Sequence, residues 1–293
     1  DVKRLAMTGM MAAMICVLTI FPHIPLGSGY IHLGDGLILL AVMLPEGTTE
    51  EDITHIMGQA AETAAECNIE IIGGHTEITK AVNRPVIVST AVGRGFKGQS
   101  ASASEIKPGD AILMTKTAGI EGTGIIACDY EEELREVLSG EELEHAKSLL
   151  SKVSVVKDGI IAGRIGTHGM HDVTEGGILG AVWEMCSIAG TGARLDAEAI
   201  PADDVTRRIC EHYDINMLRL ISSGSMLIMT EEDKKEEIIR ELAAQGIPAA
   251  QIGKIVPKEE GLSICEGGRK GGRIRAAGRF GRCGPDELYK IVK

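Results

Sequence analysis

Two glycine-rich acidic segments constrain this chain more than any other feature of its sequence. The first is residues 73–77 (GGHTE), which follow the apolar pair Ile71-Ile72. The second, residues 171–177 (HDVTEGG), begins about a hundred residues later and leads into an apolar helical pattern. A tight turn at a strand end presents backbone N–H groups and carboxylates, which bind phosphate and a divalent cation. The pair of turns therefore favours a site for phosphate and a metal ion.

The composition narrows the class of protein. With 42 Asp and Glu against 30 Lys and Arg, the net charge of −12 argues against a nucleic-acid binder, which would carry a basic stripe. A nucleotide-phosphate site stays open, because Mg²⁺ bridges carboxylates to phosphate. The 37 glycines and 3% aromatic residues favour an α/β enzyme with many tight turns. Seven cysteines without a CxxC pair indicate buried single thiols in a reducing cytosol.

Apolar periodicity predicts alternating helices and strands across residues 45–256. Thr48 or Thr49 is a suitable cap for a helix that Asn68 ends. The remaining helices are predicted near 129–138, 141–150, 154–164, 174–188, 203–212 and 231–245, and the strands at 69–72, 85–92, 111–115, 192–195, 226–229 and 250–255. This alternation is typical of an α/β fold.

The N-terminal segment has a different character. Residues 5–22 carry no charged side chain and follow Lys3-Arg4, and a second apolar run spans residues 37–44. About 18 apolar residues are the shortest stretch that spans a membrane as a helix. We therefore expect an apolar helical segment of membrane origin, with a buried core helix as the alternative. The chain begins with Asp1, so we also expect a fragment or a processed product.

Several motifs occur in the order and spacing of a known family. They are residues 44–47 (LPEG), 71–77, 109–116 (GDAILMTK), 119–123 (GIEGT), 171–177 and 285–289 (PDELY). On these motifs residues 45–256 resemble the AIR synthase-related superfamily, and most of all its hydrogenase-maturation-like branch. The resemblance implies a two-domain α/β fold and homodimers that join N-domain sheets into a barrel. It also implies ATP near that interface, with the γ-phosphate transferred to, or activating, an oxygen or amide of the substrate.

Two regions depart from the family pattern. Residues 1–43 stand where the family has a glycine-rich segment with metal-binding aspartates, and residues 21–35 resemble the start of an energy-coupling-factor transporter S component. Residues 266–284 do not resemble the family's closing strand. We therefore predict an apolar helical segment (1–44), a truncated AIR synthase-like N-terminal ATP-binding domain (45–107), an AIR synthase-like C-terminal domain (108–262) and a basic glycine-rich tail (263–293).

The candidate site residues come from the two glycine-rich segments and one strand end. Glu77, Asp172 and His171 are the catalytic candidates, and Glu77 and Asp172 are also the candidate metal ligands. The candidates for nucleotide contact are Gly73, Gly74, His75, Thr76, Lys116, Thr174, Glu175, Gly176 and Gly177. The alternatives are an ordinary glycine turn at 73–77, a capping box in which Thr174 begins a helix, a packed or exposed turn histidine, and a solvated Lys116. Residues 222–225 (SSGS) are more typical of a turn into a strand than of a phosphate turn.

The leading hypothesis is an ATP- and Mg²⁺-dependent enzyme or maturation factor of the AIR synthase-related class. It would transfer phosphoryl to a small molecule or a protein-borne group, with activity impaired by the departure at the N-terminus. The alternatives are a non-catalytic, membrane-tethered binding protein and a fusion product that carries a piece of a transporter S component. We expect a cytoplasmic homodimer that binds no nucleic acid, with residues 5–22 as the candidate membrane contact.

Overall fold

A computed structural model describes residues 37–67, 69–92, 102–266, 275–282 and 284–292. The chain divides into two compact units, residues 1–96 and 97–293. The predicted membrane-derived stretch at 5–22 lies outside the described residues. Among the helices of the described part, none has the length and apolar character needed to cross a membrane.

The described N-terminal unit is a sheet of three strands with one helix packed on it. The strands are β1 (Leu37–Leu44), β2 (Glu70–Ile78) and β3 (Val86–Val92), and β1 lies in the centre, parallel to β2 and antiparallel to β3. Helix α1 (Glu50–Glu66) begins at Thr49, whose hydroxyl forms the predicted cap in a capping box with Asp52. The buried side chains of Leu40, Val42 and Leu44 pack against apolar residues of α1 and β2.

Residues 37–44 are a strand, so the prediction of a helix there was wrong. The physical reason is pairing: β1 is hydrogen-bonded on both sides, and alternate side chains point to α1. The prediction of a turn at residues 73–77 was also wrong. These residues continue β2, where they pair with residues 39–43 of β1 after a bulge.

The described part of the C-terminal unit carries a seven-stranded sheet in the order β10-β9-β6-β8-β4-β7-β5. All neighbouring strands are antiparallel except the parallel pair β6 and β9. The strands are β4 (Ala111–Thr115), β5 (Gly169–Asp172), β6 (Gly192–Asp196), β7 (Met226–Thr230), β8 (Ala249–Val256), β9 (Leu262–Glu266) and β10 (Arg275–Arg279). Strand β4 has the predicted bounds, whereas the segment expected to be a tail contributes β9 and β10.

Helices cover both faces and one end of this sheet. They are α2 (Ile120–Asp129), α3 (Glu131–Leu134), α4 (Gly140–Ser148), α5 (Val156–Ile165), α6 (Gly177–Ala189), α7 (Asp204–His212) and α8 (Lys235–Ala244). Alternate residues of β4 and β7 pack against α6 on one face and against α5 and α8 on the other. Helices α2, α4 and α7 form a third cluster with Leu134 and Leu220. Helix α2 was not among the predicted helices.

Two buried thiols make the C-terminal unit sensitive to alkaline pH. Burial raises the pKa of Cys186 on α6 from 9.0 to about 11, and burial followed by the charge of Glu287 raises that of Cys210 on α7 to about 12. Above about pH 9 the unfolded chain loses protons that the folded chain keeps. The free energy of unfolding therefore falls as the pH rises from about 9 to 11, by at most about 1.4 kcal/mol per pH unit for each thiol.

We expect Cys210→Ala to make that fall with pH shallower, although the cavity lowers stability at every pH. Denaturant unfolding under reducing conditions, followed by the fluorescence of Trp183 on α6, the chain's single tryptophan, measures the C-terminal unit. Cys128→Ala is the control, because Cys128 is exposed. Parallel pH profiles for Cys210→Ala and the parent would contradict the prediction.

Candidate functional site

Three loops of the C-terminal unit meet where β4 and β5 end and β7 begins. They are residues 116–119 after β4, residues 173–176 after β5, and residues 221–225 before β7. We call this arrangement the three-loop site. The second and third loops exchange hydrogen bonds, from the N–H of Val173 to the carbonyl of Ser225 at 2.9 Å and from the N–H of Ser222 to the carbonyl of Val173 at 3.0 Å. The first loop joins them through the Ser222 hydroxyl, which accepts the N–H of Gly119 at 2.8 Å.

Asp172 ends β5 and is a half-buried carboxylate of this site. Its Oδ1 accepts the N–H of Gly224 at 3.1 Å. Burial raises the pKa of Asp172 above its ordinary value, and the Gly224 N–H only partly opposes that rise. A carboxylate has oxygen lone pairs for several partners, and a nearby cation relieves the cost of burying its charge. Asp172 therefore suits an oxygen-seeking divalent cation such as Mg²⁺.

His171 points to the opposite face of the sheet from Asp172, because successive strand residues alternate. Its Nδ1 contacts the backbone carbonyl of Asp172, and its Nε2 lies 3.0 Å from Oε2 of Glu184 on α6. His171 and Asp172, two of the three predicted catalytic residues, are thus adjacent in sequence, but their side chains do not converge. This placement favours the packed-histidine alternative for His171.

Lys116 has its ammonium group surrounded by protein acceptors. Nζ lies 3.0 Å from both carboxylate oxygens of Asp158 on α5, 2.7 Å from the carbonyl of Gly224 and 3.0 Å from that of Ser154. The Lys116 side chain is 15% exposed and that of Asp158 is 2% exposed. An ammonium group has three N–H donors, and these contacts occupy all three. The geometry favours a structural role for Lys116 over the predicted contact with phosphate.

The glycine loop before α6 differs from the predicted capping box, and Thr174 is not the N-cap. The cap is Gly176 with φ 82°, and α6 begins at Gly177 with φ 60°. The N–H of Thr174 donates to the carbonyl of Asp172, and that of Gly177 donates to the carbonyl of Thr174. The physical reason for glycine at 177 is close packing: a Cβ there would lie 2.7 Å from the carbonyl oxygen of Leu218. Glu175 is exposed beside this loop.

The first glycine-rich segment belongs to the N-terminal unit. His75 and Glu77 face the side of the sheet away from α1, since they pair with Ala41 and Met43. Their side chains form an ion pair at 3.6 Å and are 69% and 59% exposed. Thr76 faces the α1 side, and Gly73 and Gly74 lie where β2 follows its bulge. Within the described residues no group of three His, Cys, Asp or Glu side chains converges as a metal cage.

Sequence reasoning missed three residues that build the three-loop site: Asp158, Ser222 as a cap of α2, and Asp286. The Ser222 hydroxyl accepts hydrogen bonds from the N–H groups of Gly119 and Ile120. The Ser225 hydroxyl donates to the carbonyl of Thr117 at 2.6 Å. The run SSGS was noticed as a turn, as the structure confirms. Its hydrogen-bond partners lie about a hundred residues away in sequence, where no local signal shows them.

Family models match most of the chain. A model for the C-terminal domain of AIR synthase related protein matches residues 107–265, and one for the N-terminal domain matches residues 36–95. A model of the ECF-type riboflavin transporter S component matches residues 1–45. The N-terminal domain match thus begins at the start of β1, earlier than the predicted boundary at residue 45.

Curated relatives include hydrogenase maturation proteins. A putative hydrogenase expression/formation protein of Methanocaldococcus jannaschii is 25% identical over 231 residues, which are 77% of this chain and 65% of that protein. The carbamoyl dehydratase HypE of Escherichia coli is 27% identical over 243 residues, 82% of this chain and 66% of that protein. The chain therefore spans just under two thirds of the length of these relatives.

Solved structures share the fold. A crystal structure of Escherichia coli HypE superposes with a TM-score of 0.69 at 24% identity, over 83% of this chain and 72% of that one. HypE in complex with ATP gives a TM-score of 0.63 at 19% identity, over 83% and 73% of the two chains. Thiamine monophosphate kinase of Aquifex aeolicus gives 0.60 at 13% identity, over 79% and 75%.

Proposed function

We propose that this chain, which belongs to the AIR synthase related family, binds Mg-ATP and acts as an ATP-dependent enzyme or maturation factor. The proposed reaction is phosphoryl transfer to a small substrate or a protein-borne group. The likeness to hydrogenase maturation proteins, one of them solved with ATP, supports the nucleotide and the class. The observation that carries the proposal is the three-loop site, which brings half-buried Asp172 together with the loops that lead into α2 and α6.

The proposed roles follow from charge and position. ATP supplies the phosphoryl group, and Mg²⁺ neutralises phosphate charge; Asp172 of the C-terminal unit is proposed to hold a metal ion, and Glu77 is a separate candidate ligand on the N-terminal unit. The hydroxyl of Thr174 and the loop around Gly177 are proposed to contact phosphate or substrate, because the loop adjoins Asp172 and the hydroxyl is a hydrogen-bond donor. Glu175, an exposed residue of this loop, is proposed to orient the substrate. In this scheme the protein positions the groups and its fixed dipoles stabilise developing charge.

A second candidate is a nucleotide-binding protein without turnover. It is favoured by one observation: the Lys116 ammonium is taken up by Asp158 and two backbone carbonyls. An ammonium group held by these acceptors does not neutralise the charge of a phosphoryl group during transfer. A phosphate-release assay separates the candidates, because both bind Mg-ATP but only the enzyme releases phosphate.

Asp172→Asn should weaken Mg-ATP binding at least tenfold while leaving the fold intact. Asparagine keeps an oxygen for the Gly224 N–H, and it removes a charge that burial disfavours, so stability should change by less than about 1 kcal/mol. The metal loses an anionic ligand, and tenfold in affinity corresponds to about 1.4 kcal/mol. Calorimetric titration with ATP, with Mg²⁺ or with excess EDTA, measures the effect.

Asp196→Asn is the matched control. Asp196 ends β6, which three strands separate from β5 in the sheet, and it accepts a backbone N–H from Glu198 at 3.0 Å. Equal Mg-ATP affinities for the parent, Asp172→Asn and Asp196→Asn would show that nucleotide does not bind at the three-loop site. Binding by the parent that is indifferent to EDTA would remove the metal.

A further inference from the structure

We infer that Asp286, in the C-terminal segment, is a positioning residue of the three-loop site. Its carboxylate links the glycine loop before α6 to the turn before β7. Asp286 thereby fixes the relative positions of the two loops that are proposed to bind nucleotide. This inference rests on the proposed function, but its structural half is testable without it.

The carboxylate of Asp286 bridges two loops that are distant in sequence. Oδ2 accepts the N–H of Gly176 at 2.6 Å, across 110 residues, and Oδ1 accepts the N–H of Ile221 at 3.2 Å, across 65 residues. Oδ1 also accepts the N–H of Leu288 at 2.9 Å, which fixes the carboxylate in its own segment. The residue is only 3% exposed, so solvent does not substitute for these partners.

The α6 N-terminus explains why an anion belongs there. The first turn of a helix has backbone N–H groups without intrahelical acceptors and carries a partial positive charge. Here the N-cap is glycine, which has no side chain to accept them. From a remote segment, Asp286 accepts the N–H of the N-cap residue Gly176 itself and places a carboxylate at the positive end of the helix. Burial raises the pKa of Asp286, and the N–H groups of Leu288, Gly176 and Ile221 oppose that rise.

The bridged loops are the ones that carry the proposed ligand contacts. Ile221 precedes Ser222, whose N–H donates to the carbonyl of Val173, next to Asp172. Gly224, in the same turn, donates to the Asp172 carboxylate. Gly176 follows Thr174 and Glu175. A change at Asp286 therefore reaches both sides of Asp172 without Asp286 touching the ligand.

Other contacts hold the C-terminal segment in place without the Asp286 side chain. Oε2 of Glu287 accepts the N–H of Asn216 at 3.1 Å, and the hydroxyl of Tyr130 donates to the carbonyl of Ile291 at 2.7 Å. Leu288 is buried in the cluster formed by α2, α4 and α7. Asp286→Asn should consequently keep the segment docked while one of its three backbone donors loses its acceptor.

The test compares Asp286→Asn with Glu287→Gln, a matched change one residue further on. Glu287 is also buried and accepts a backbone N–H, but from Asn216, outside the three loops. We expect Asp286→Asn to weaken Mg-ATP binding at least fivefold by calorimetry. We also expect faster amide hydrogen exchange in peptides covering 173–180 and 219–226, with α8 unchanged. Glu287→Gln should stay within twofold of the parent in affinity.

Two results would overturn the inference. One is a normal Mg-ATP affinity in Asp286→Asn despite faster exchange in both loops, which would make Asp286 structural only. The other is an equal loss in Glu287→Gln, which would assign the effect to docking of the whole segment. If the parent binds no nucleotide, the proposed function fails on its own. The exchange data then decide: faster exchange in both loops supports the bridge, and unchanged exchange refutes it.

Discussion

Gly74→Ala should unfold the N-terminal unit. Gly74 pairs with Leu40 in the parallel ladder of β1 and β2, just after the bulge. A Cβ at this position would lie 1.8 Å from the carbonyl oxygen of Leu40 and 2.8 Å from its carbonyl carbon. These are backbone atoms of the central strand, so they cannot move aside as a side chain would. We expect a cost of about 3 kcal/mol or more, which a unit this small has little stability to absorb.

Gly73→Ala is the control for that experiment. A Cβ at residue 73 would meet only the Leu39 side chain, at an ordinary contact distance of 3.7 Å. Hydrogen exchange in peptides covering β1 and β2 should collapse to unprotected rates in Gly74→Ala and stay near the parent in Gly73→Ala. The unfolding curve from Trp183 fluorescence, which reports the C-terminal unit, should be unchanged in both. Retained protection in Gly74→Ala would show that β1 and β2 are not paired in this register.

The same glycine shows why the sequence misled at the first motif. Two adjacent glycines followed by polar residues are typical of a turn. Glycine also occurs in strands where another backbone approaches closely, and the local sequence does not distinguish the two cases. In β2 the glycine is required by a neighbouring strand about 34 residues away in sequence. The pattern at Thr49, by contrast, is local, since cap and helix are contiguous, and there the prediction was confirmed.

Periodicity predicted most of the C-terminal unit for a related reason. Strand β4 is a continuous run of buried residues and helix α7 buries one face, so both patterns are visible in the local sequence. The start of α6 was misplaced by three residues, because its entry depends on two successive positive-φ glycines, the second of which, Gly177, packs against residues 218–220. The acid that complements this entry, Asp286, comes from the far end of the chain. The family resemblance implied the fold but could not place such contacts.

Lys116→Met should destabilise the C-terminal unit by about 3–5 kcal/mol. The substitution keeps a long, unbranched side chain at the unusual φ of 55°. The parent and the variant therefore have the same backbone strain, which cancels when their stabilities are compared. It leaves the Asp158 carboxylate, 2% exposed, buried without its cation, and removing one partner of a buried pair costs that much. Denaturant unfolding followed by Trp183 fluorescence measures the loss.

Two further variants separate charge from packing. Lys116→Met combined with Asp158→Leu removes both charges and fills similar volume, so most of the lost stability should return. Lys147→Met is the surface control: Lys147 contacts Glu131 and Glu144, which are 32% and 73% exposed, and should cost at most about 1 kcal/mol. A loss for Lys116→Met no larger than for Lys147→Met would contradict a buried ion pair.

Nucleotide affinity in the double variant then decides what Lys116 does. The carbonyl of Gly224 contacts Lys116 while its N–H contacts Asp172, so the ammonium supports the turn that holds the site carboxylate. If Lys116 is structural, Mg-ATP affinity should recover together with stability in the double variant. If stability recovers and affinity does not, the ammonium contacts the ligand itself, as its position at a strand end first suggested. The stability lost in Lys116→Met therefore measures the structural role of the ion pair. The Mg-ATP affinity of the double variant measures whether Lys116 contacts the ligand.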